Sequence, residues 1–320
     1  MYRFIADIAD NYGLFDLHRN YSKKDQFYYN SNDVMLLHEN FYLKPDLLEL
    51  KFDKTNKSNE YEFGKLKFSS QVDGDGNDAI FHYAMNTMST KDKINIILVH
   101  GWRSTVNKLD CIFKNSFMQQ GFNMYSYVLP YHMERVTKES TYNGEYFITA
   151  DVVRTLRVFR QAVSDIRALI RHIKEIKKEK VYLVGLSLGG LITNLVCEHE
   201  EIDALVSLFY ANDVAFTIFE AIPGKYIKRD FVNNKFSKEL LSDCWNIINP
   251  SMGKPVIDKK KIMLVSGKYD KYILPTDSNK LWEAWDRPLR YVYNCGHSGI
   301  VLLKDKIRYD TMDFLRGLNS

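Results

Sequence analysis

Val181-Tyr182-Leu183-Val184-Gly185-Leu186-Ser187-Leu188-Gly189-Gly190 begins as an apolar run of strand length and passes through Gly-x-Ser-x-Gly into a helix-forming stretch. That order predicts a serine held on a tight strand-to-helix turn. Only residues with little or no side chain pack beside such a turn, which is why glycine stands two positions on either side. The first turn of the following helix then lies beneath the serine, and its free N–H groups and partial positive charge face any anion that develops there. The five-residue pattern is common by itself; the strand before it and the helix after it give it meaning.

Outward from this stretch, apolar runs alternate with helical segments from Lys93 onward. The runs are Asn95–Val99, Asn123–Leu129, Val181–Val184, Ala204–Phe209, Lys261–Val265 and Leu289–Tyr293. Short, Val/Ile/Leu-rich runs separated by helices predict a mostly parallel sheet covered on both faces. Between the second and third runs, Asp151 to about Lys178 carries apolar residues at helical spacing, with Asp151 placed to cap the start. Upstream, Phe63–Phe68 and Ala79–Met85 read as strands joined through Asp73-Gly74-Asp75-Gly76-Asn77-Asp78. This connection imitates a calcium loop, but its sixth position is Asp78 where Gly is required and its twelfth is Ala84 where a bidentate carboxylate is required. A hairpin turn is the better reading. Residues 1–60, with Phe4, Ile5, Ile8, Tyr12 and Phe15 near helical spacing, are expected to form an extension packed on the core.

A serine hydroxyl needs a positioned base to act as a nucleophile near neutral pH, and histidine suits that task. His297 sits in the glycine-flanked loop Asn294-Cys295-Gly296-His297-Ser298-Gly299, directly after the last apolar run. The acid that orients the histidine should follow a strand lying between serine and histidine in the chain. Asp270, in Val265-Ser266-Gly267-Lys268-Tyr269-Asp270, meets this requirement and is preferred; Asp213, after Ala211-Asn212, is the rival, and Asp277 reads as a helix cap. The strand Ile96–Val99 ends in His100-Gly101-Trp102. The turn after that strand and the residue after the nucleophile are the expected donors to an oxyanion, here the backbone N–H groups of Trp102 and Leu188. Loss of one such donor costs about 3–4 kcal/mol of transition-state stabilisation. His100 itself is expected to brace the loop.

Leu98-Val99-His100-Gly101-Trp102, Gly185-Leu186-Ser187-Leu188-Gly189, Gly267-Lys268-Tyr269-Asp270 and Gly296-His297 stand in the order of the four landmarks of the α/β-hydrolase superfamily, which the chain resembles over residues 61–318. The resemblance implies a central sheet of about eight strands, a site at the strands' C-terminal ends, and acyl transfer to Ser187 followed by water attack without a cofactor. The chain departs from many relatives after the second apolar run, where Leu129-Pro130-Tyr131-His132-Met133-Glu134-Arg135 replaces an Arg-Gly-x-Gly-x-Ser turn. It looks like a bacterial branch with a similar Pro-Tyr-His-x-x-Arg turn. Tyr131 and His132 are expected to line the pocket as hydrogen-bond partners; the alternative is that His132 and Arg135 pin the loop to Glu145 or Asp151. No His-Gly-Gly-Gly occurs, unlike the lipases and esterases that build their oxyanion hole from it.

About fifty residues separate the strand ending near Tyr210 from the one beginning at Lys261, far beyond the ~2–6 of an ordinary connection. Residues 213–255 are therefore expected to form a helical lid, with Gly224 and Gly253 as hinge candidates and with its aromatic residues packing on the sheet or facing the site. The 44 basic and 40 acidic residues are interspersed and leave a net charge of +4, which makes no case for nucleic acid or an anionic membrane. Cys111, Cys197, Cys244 and Cys295 match no zinc spacing and read as reduced thiols. No signal peptide, transit peptide or membrane span is expected, so the chain is read as cytoplasmic. Its expected partner is a small-molecule ester or amide. The alternatives are acyl transfer on the same three residues, or a binding protein that keeps the fold; the presence of all three catalytic residue types argues against the second.

Overall fold

The computed structural model describes residues 2–19, 21, 26–72, 78–88 and 93–318. Among these residues, nine strands form one sheet: β1 (Phe52–Lys57), β2 (Tyr61–Ser69), β3 (Asp78–Asn86), β4 (Ile94–Val99), β5 (Asn123–Val128), β6 (Lys180–Leu186), β7 (Ala204–Leu208), β8 (Ile262–Gly267) and β9 (Leu289–Tyr293). Their spatial order is β1-β2-β3-β5-β4-β6-β7-β8-β9. The first four in that order pair antiparallel, and the six from β5 to β9 pair parallel. Strands β4 to β8 are buried almost throughout, as parallel strands covered on both faces must be. The pleat divides their side chains: Ile97, Val99 and Leu183 enter one core layer, while Ile96, Leu98, Tyr182 and Val184 enter the other.

Helices α1 (Tyr2–Arg19) and α2 (Ser31–Glu39) precede the sheet. Helix α3 (Asn107–Gln119) links β4 to β5, and α4 (Val152–Arg171), continued by a π-helical turn at His172–Lys177, links β5 to β6. Asp151 caps α4 by accepting from Arg154 N–H at 2.8 Å, as its position predicts. Helix α5 (Leu188–Cys197) follows β6. The long connection after β7 is helical: α6 (Val214–Glu220), α7 (Lys225–Asn233) and α8 (Lys238–Trp245). Helix α9 (Pro275–Ala284) joins β8 to β9, and α10 (Gly299–Leu302) and α11 (Lys304–Gly317) close the fold. Leu109, Phe113 and Phe117 of α3 and Ile307 and Leu315 of α11 share one core layer, whereas Leu156 and Phe159 of α4 and Leu191 and Leu195 of α5 share the other.

The chain leaves β4 for β5 on one side and later enters β6 on the other side of β4. Its direction through the sheet therefore reverses between β4 and β6, and in open α/β sheets a crevice opens at the strands' C-terminal ends at that point. The turns after these two strands hold Gly101-Trp102 and Ser187.

Two expectations change. Phe4, Ile5, Ile8, Tyr12 and Phe15 do not pack on the core; all five are exposed, and α1 instead buries Ala6, Asp10 and Leu14. The sheet also begins within the segment read as an extension, because β1 pairs with β2. Strands β2 and β3 pair antiparallel as a hairpin, but residues 73–77 of the connection between them lie outside the described residues. No helix among the described residues is long and apolar enough to cross a membrane.

Candidate active site

Ser187 stands between β6 and α5 with φ +56°, a backbone conformation a side chain rarely adopts, as a strand-to-helix reversal demands. Its N–H donates to Leu208 O at 2.8 Å, which ties the turn to the end of β7. The flanking glycines are required by proximity. A Cβ on Gly185 would lie 2.4 Å from Gly189 O, and one on Gly189 would lie 2.1 Å from Val99 O. Gly101 also brings the turn after β4 close, since a Cβ there would stand 3.2 Å from Ser187 Cβ. Leu188 is the first residue of α5, so its N–H has no carbonyl one turn behind it to bond.

The loops after β8 and β9 carry Asp270 and His297 to the same edge. Asp270 is buried, and its Oδ1 accepts the N–H groups of Tyr272 and Ile273, both at 2.8 Å. Its Oδ2 lies 2.8 Å from His297 Nδ1, and His297 Nε2 lies 3.0 Å from Ser187 Oγ. A carboxylate can only accept, so Nδ1 carries the proton and Nε2 is left free to accept the serine hydroxyl. Tyr272 stacks on the imidazole with centroids 4.6 Å apart and planes 15° apart, and Phe209 meets it edge-on. The structure thus brings together the serine, histidine and preferred acid read from the sequence. The rival Asp213 caps α6 through Phe216 N–H instead. Asp277 is not a cap of α9: it is buried, accepts from the backbone N–H groups of Asn212 and Asp213, and burial pushes its carboxyl up to about 6.

Tyr131 and His132 do not line the cavity; both are buried behind its rim. His132 Nε2 accepts Arg103 N–H at 2.9 Å while its Nδ1 faces Pro130 O at 2.8 Å. Burial holds this imidazole well below its ordinary pKa, consistent with a neutral ring that must accept at one nitrogen. His100 works alike, with Nδ1 on Gly101 O and Nε2 accepting Leu129 N–H, and burial lowers it to about 4. The two rings meet at 5.0 Å and stitch the turn after β4 to the turn after β5. Trp102 is held through its indole N–H, which donates to Gly144 O at 2.7 Å. Arg135 pins the loop to Asp165 and Tyr127, not to Glu145 or Asp151.

A cavity of about 480 Å³ opens onto Ser187 and His297. The connection between β7 and β8 roofs it with Val214, Thr217, Ile218 and Pro223. Most aromatic residues of that connection, including Phe231, Phe236 and Trp245, pack on the core instead. Gly224 and Gly253 are not free hinges: a Cβ on Gly224 would lie 2.3 Å from Ile218 Cα, and one on Gly253 would lie 2.4 Å from the Glu198 carboxyl. A further part of its wall comes from α1, through Gly13, Asp16 and Leu17, which sequence reasoning missed. It also missed Asp10, whose carboxylate accepts His297 N–H at 3.0 Å and Ser298 N–H at 2.9 Å. The available signal was an acidic residue four positions from both Ala6 and Leu14, inside the stripe that α1 buries. No group of His, Cys, Asp or Glu among the described residues is arranged to hold a metal.

No family model matches the chain. Over 112 residues it is 46% identical to the uncharacterized protein YdjC of Bacillus subtilis, an alignment covering 35% of this chain and 97% of YdjC. It is 27% identical over 222 residues to the uncharacterized protein Rv2627c of Mycobacterium tuberculosis, covering 68% of this chain but only 52% of that protein. The chain thus spans about half the length of its mycobacterial relative. Among solved structures, acetyl xylan esterase 1 from Thermoanaerobacterium superposes with a TM-score of 0.63 at 15% identity, covering 96% of this chain and 99% of that one. An uncomplexed acylaminoacyl peptidase of Pyrococcus horikoshii gives 0.57 at 12% identity, covering 81% and 42%. The sheet order, the crossovers and these likenesses make the fold that of the α/β hydrolases, and the near-complete match to YdjC places the chain in the same family as that protein.

Proposed function

We propose that the chain is a serine hydrolase that cleaves a carboxylic ester, or an amide or thioester, through an acyl-enzyme on Ser187. The reading rests on one observation: a hydroxyl, an imidazole and a buried carboxylate in hydrogen-bonded series, 3.0 Å and 2.8 Å apart, open to a cavity. Ser187 Oγ attacks the substrate carbonyl carbon and passes its proton to His297 Nε2. Asp270 holds the ring in the required tautomer and stabilises the imidazolium as it forms. The N–H groups of Trp102 and Leu188 receive the oxyanion. His297 returns the proton to the leaving group, and the acyl group stays on Ser187. Water, deprotonated by the same nitrogen, attacks the acyl carbonyl and releases the carboxylic acid with a free serine.

Esterases and peptidases among the structural neighbours agree with this chemistry but leave the substrate open. Leu17, Ile148, Leu191 and Ile218 give the cavity an apolar side suited to an acyl chain. A fluorophosphonate probe tests the reading: the intact protein is expected to be labelled covalently and Ser187→Ala is not. An unlabelled intact protein, under conditions where a known serine hydrolase reacts, would remove the basis for catalysis.

A further inference from the structure

We propose that Asp10, on the N-terminal helix, is a positioning residue for His297, and that α1 is a working part of the active site; the inference rests on the serine-hydrolase reading above. Asp10 is 0% exposed. A buried carboxylate must find hydrogen-bond donors, and Asp is a poor choice for a helix interior unless something compensates it. Among the described residues, this carboxylate accepts from backbone N–H groups of the two loops that carry the base and its acid: His297 N at 3.0 Å, Ser298 N at 2.9 Å and Lys271 N at 3.3 Å. Charge-assisted bonds of this kind are shorter and stronger than neutral ones.

The neighbourhood is built around that contact. A Cβ on Gly296 would lie 2.3 Å from Asp10 Oδ2, so the residue before the histidine must be glycine for the carboxylate to reach the loop. Tyr272, which stacks on the imidazole, donates its hydroxyl to Asp10 O at 3.4 Å. Lys271 Nζ pairs with Asp7 at 2.9 Å, one turn earlier on α1. At the helix's other end the Arg103 guanidinium donates to Leu17 O, which ties in the turn that carries the oxyanion donor. One helix thus holds three loops whose separate residues must meet within a few tenths of an ångström. Asp10 itself touches no reacting atom; it fixes the backbone from which the imidazole projects.

The test uses the full chain and p-nitrophenyl acetate. Asp10→Asn keeps the shape but turns N–H donors toward N–H donors, and kcat is expected to fall about 10- to 100-fold with KM nearly unchanged, because a displacement near 1 Å costs about that much. Fluorophosphonate labelling should slow in proportion, and the far-downfield proton resonance of the His297–Asp270 hydrogen bond should broaden or vanish. Tyr12→Ala, at an exposed position of the same helix, should keep kcat within about twofold. If Asp10→Asn does not fold, Gly296→Ala carries the test, since its methyl group displaces the carboxylate. A folded Asp10→Asn or Gly296→Ala protein that labels at the wild-type rate with the proton resonance intact overturns the proposal alone. An intact protein that neither turns over the ester nor labels overturns the serine-hydrolase reading and this proposal with it.

Discussion

Arg135 is buried, and its guanidinium donates to Tyr127 Oη and Val128 O, both at 2.9 Å, and to Asp165 Oδ2 at 3.3 Å. Glu145 cannot serve it, because that carboxylate is taken by the backbone and hydroxyl of Thr141, and Asp151 is occupied in capping α4. Asp165→Ala leaves a guanidinium in the interior without its anion, which typically destabilises by about 3–5 kcal/mol. The urea midpoint of unfolding should fall accordingly, and a midpoint within error of the wild type would show that the pair is dispensable. The same contrast separates what could be read from residues from what could not. Ser187, His297 and Asp270 were legible because their chemistry demands particular residue types after particular strands. Asp10 and Arg135 were not. Asp10 pairs with backbone N–H groups 287 residues away, and backbone donors leave no mark in a sequence. Arg135 had several acids within reach along the chain, among them Glu145, Asp151 and Asp165, and only packing decides among them.

At the scale of elements, α5 is followed at its C-terminus by Glu198, whose carboxyl lies against Gly253 and is pushed up to about 9 by burial. An ordinary glutamate has a pKa of about 4.3 in the unfolded chain. Between those values the folded chain holds a proton that the unfolded chain has released. This contribution to stability is fully present below about 4.3 and is lost as pH rises through about 9. Glu198→Gln keeps the shape without the titration. Its stability relative to the wild type should therefore grow from pH 5 to pH 9 by up to a few kcal/mol, because each pH unit between the two pKa values is worth at most about 1.4 kcal/mol. Parallel pH–stability curves for the two proteins would contradict this. Elements were legible where burial imposed a period: β4 to β8 read as apolar runs and α4 as an apolar stripe. Strand β1 escaped because Phe52-Asp53-Lys54-Thr55-Asn56-Lys57 is almost wholly exposed at the sheet edge, where neither face is required to be apolar. Helix α1 misled for the opposite reason: its apolar stripe faces outward, and the face it buries carries Asp10 between Ala6 and Leu14.

Across the whole molecule, the reversal of strand order between β4 and β6 creates the crevice, but the crevice alone would be open. Two segments distant in sequence, α1 and the connection that carries α6, add walls that make it a cavity. The cavity's walls therefore come largely from elements outside the sheet, while Ser187, Asp270 and His297 stand on the turns after β6, β8 and β9. Thr217 on α6 is half-buried and lines the cavity without belonging to the core beneath. Thr217→Trp should fill much of the space beyond the serine and leave the chemistry untouched. With p-nitrophenyl esters of increasing chain length, kcat/KM for acetate should stay within about threefold of the wild type, while octanoate should lose at least about tenfold; one extra methylene in an apolar pocket is worth about 1–3 kcal/mol, which bounds the discrimination available. Equal losses on both esters would mean that the tryptophan disturbs Ser187 itself. No loss on either would place the acyl chain elsewhere, along the α1 wall at Leu17.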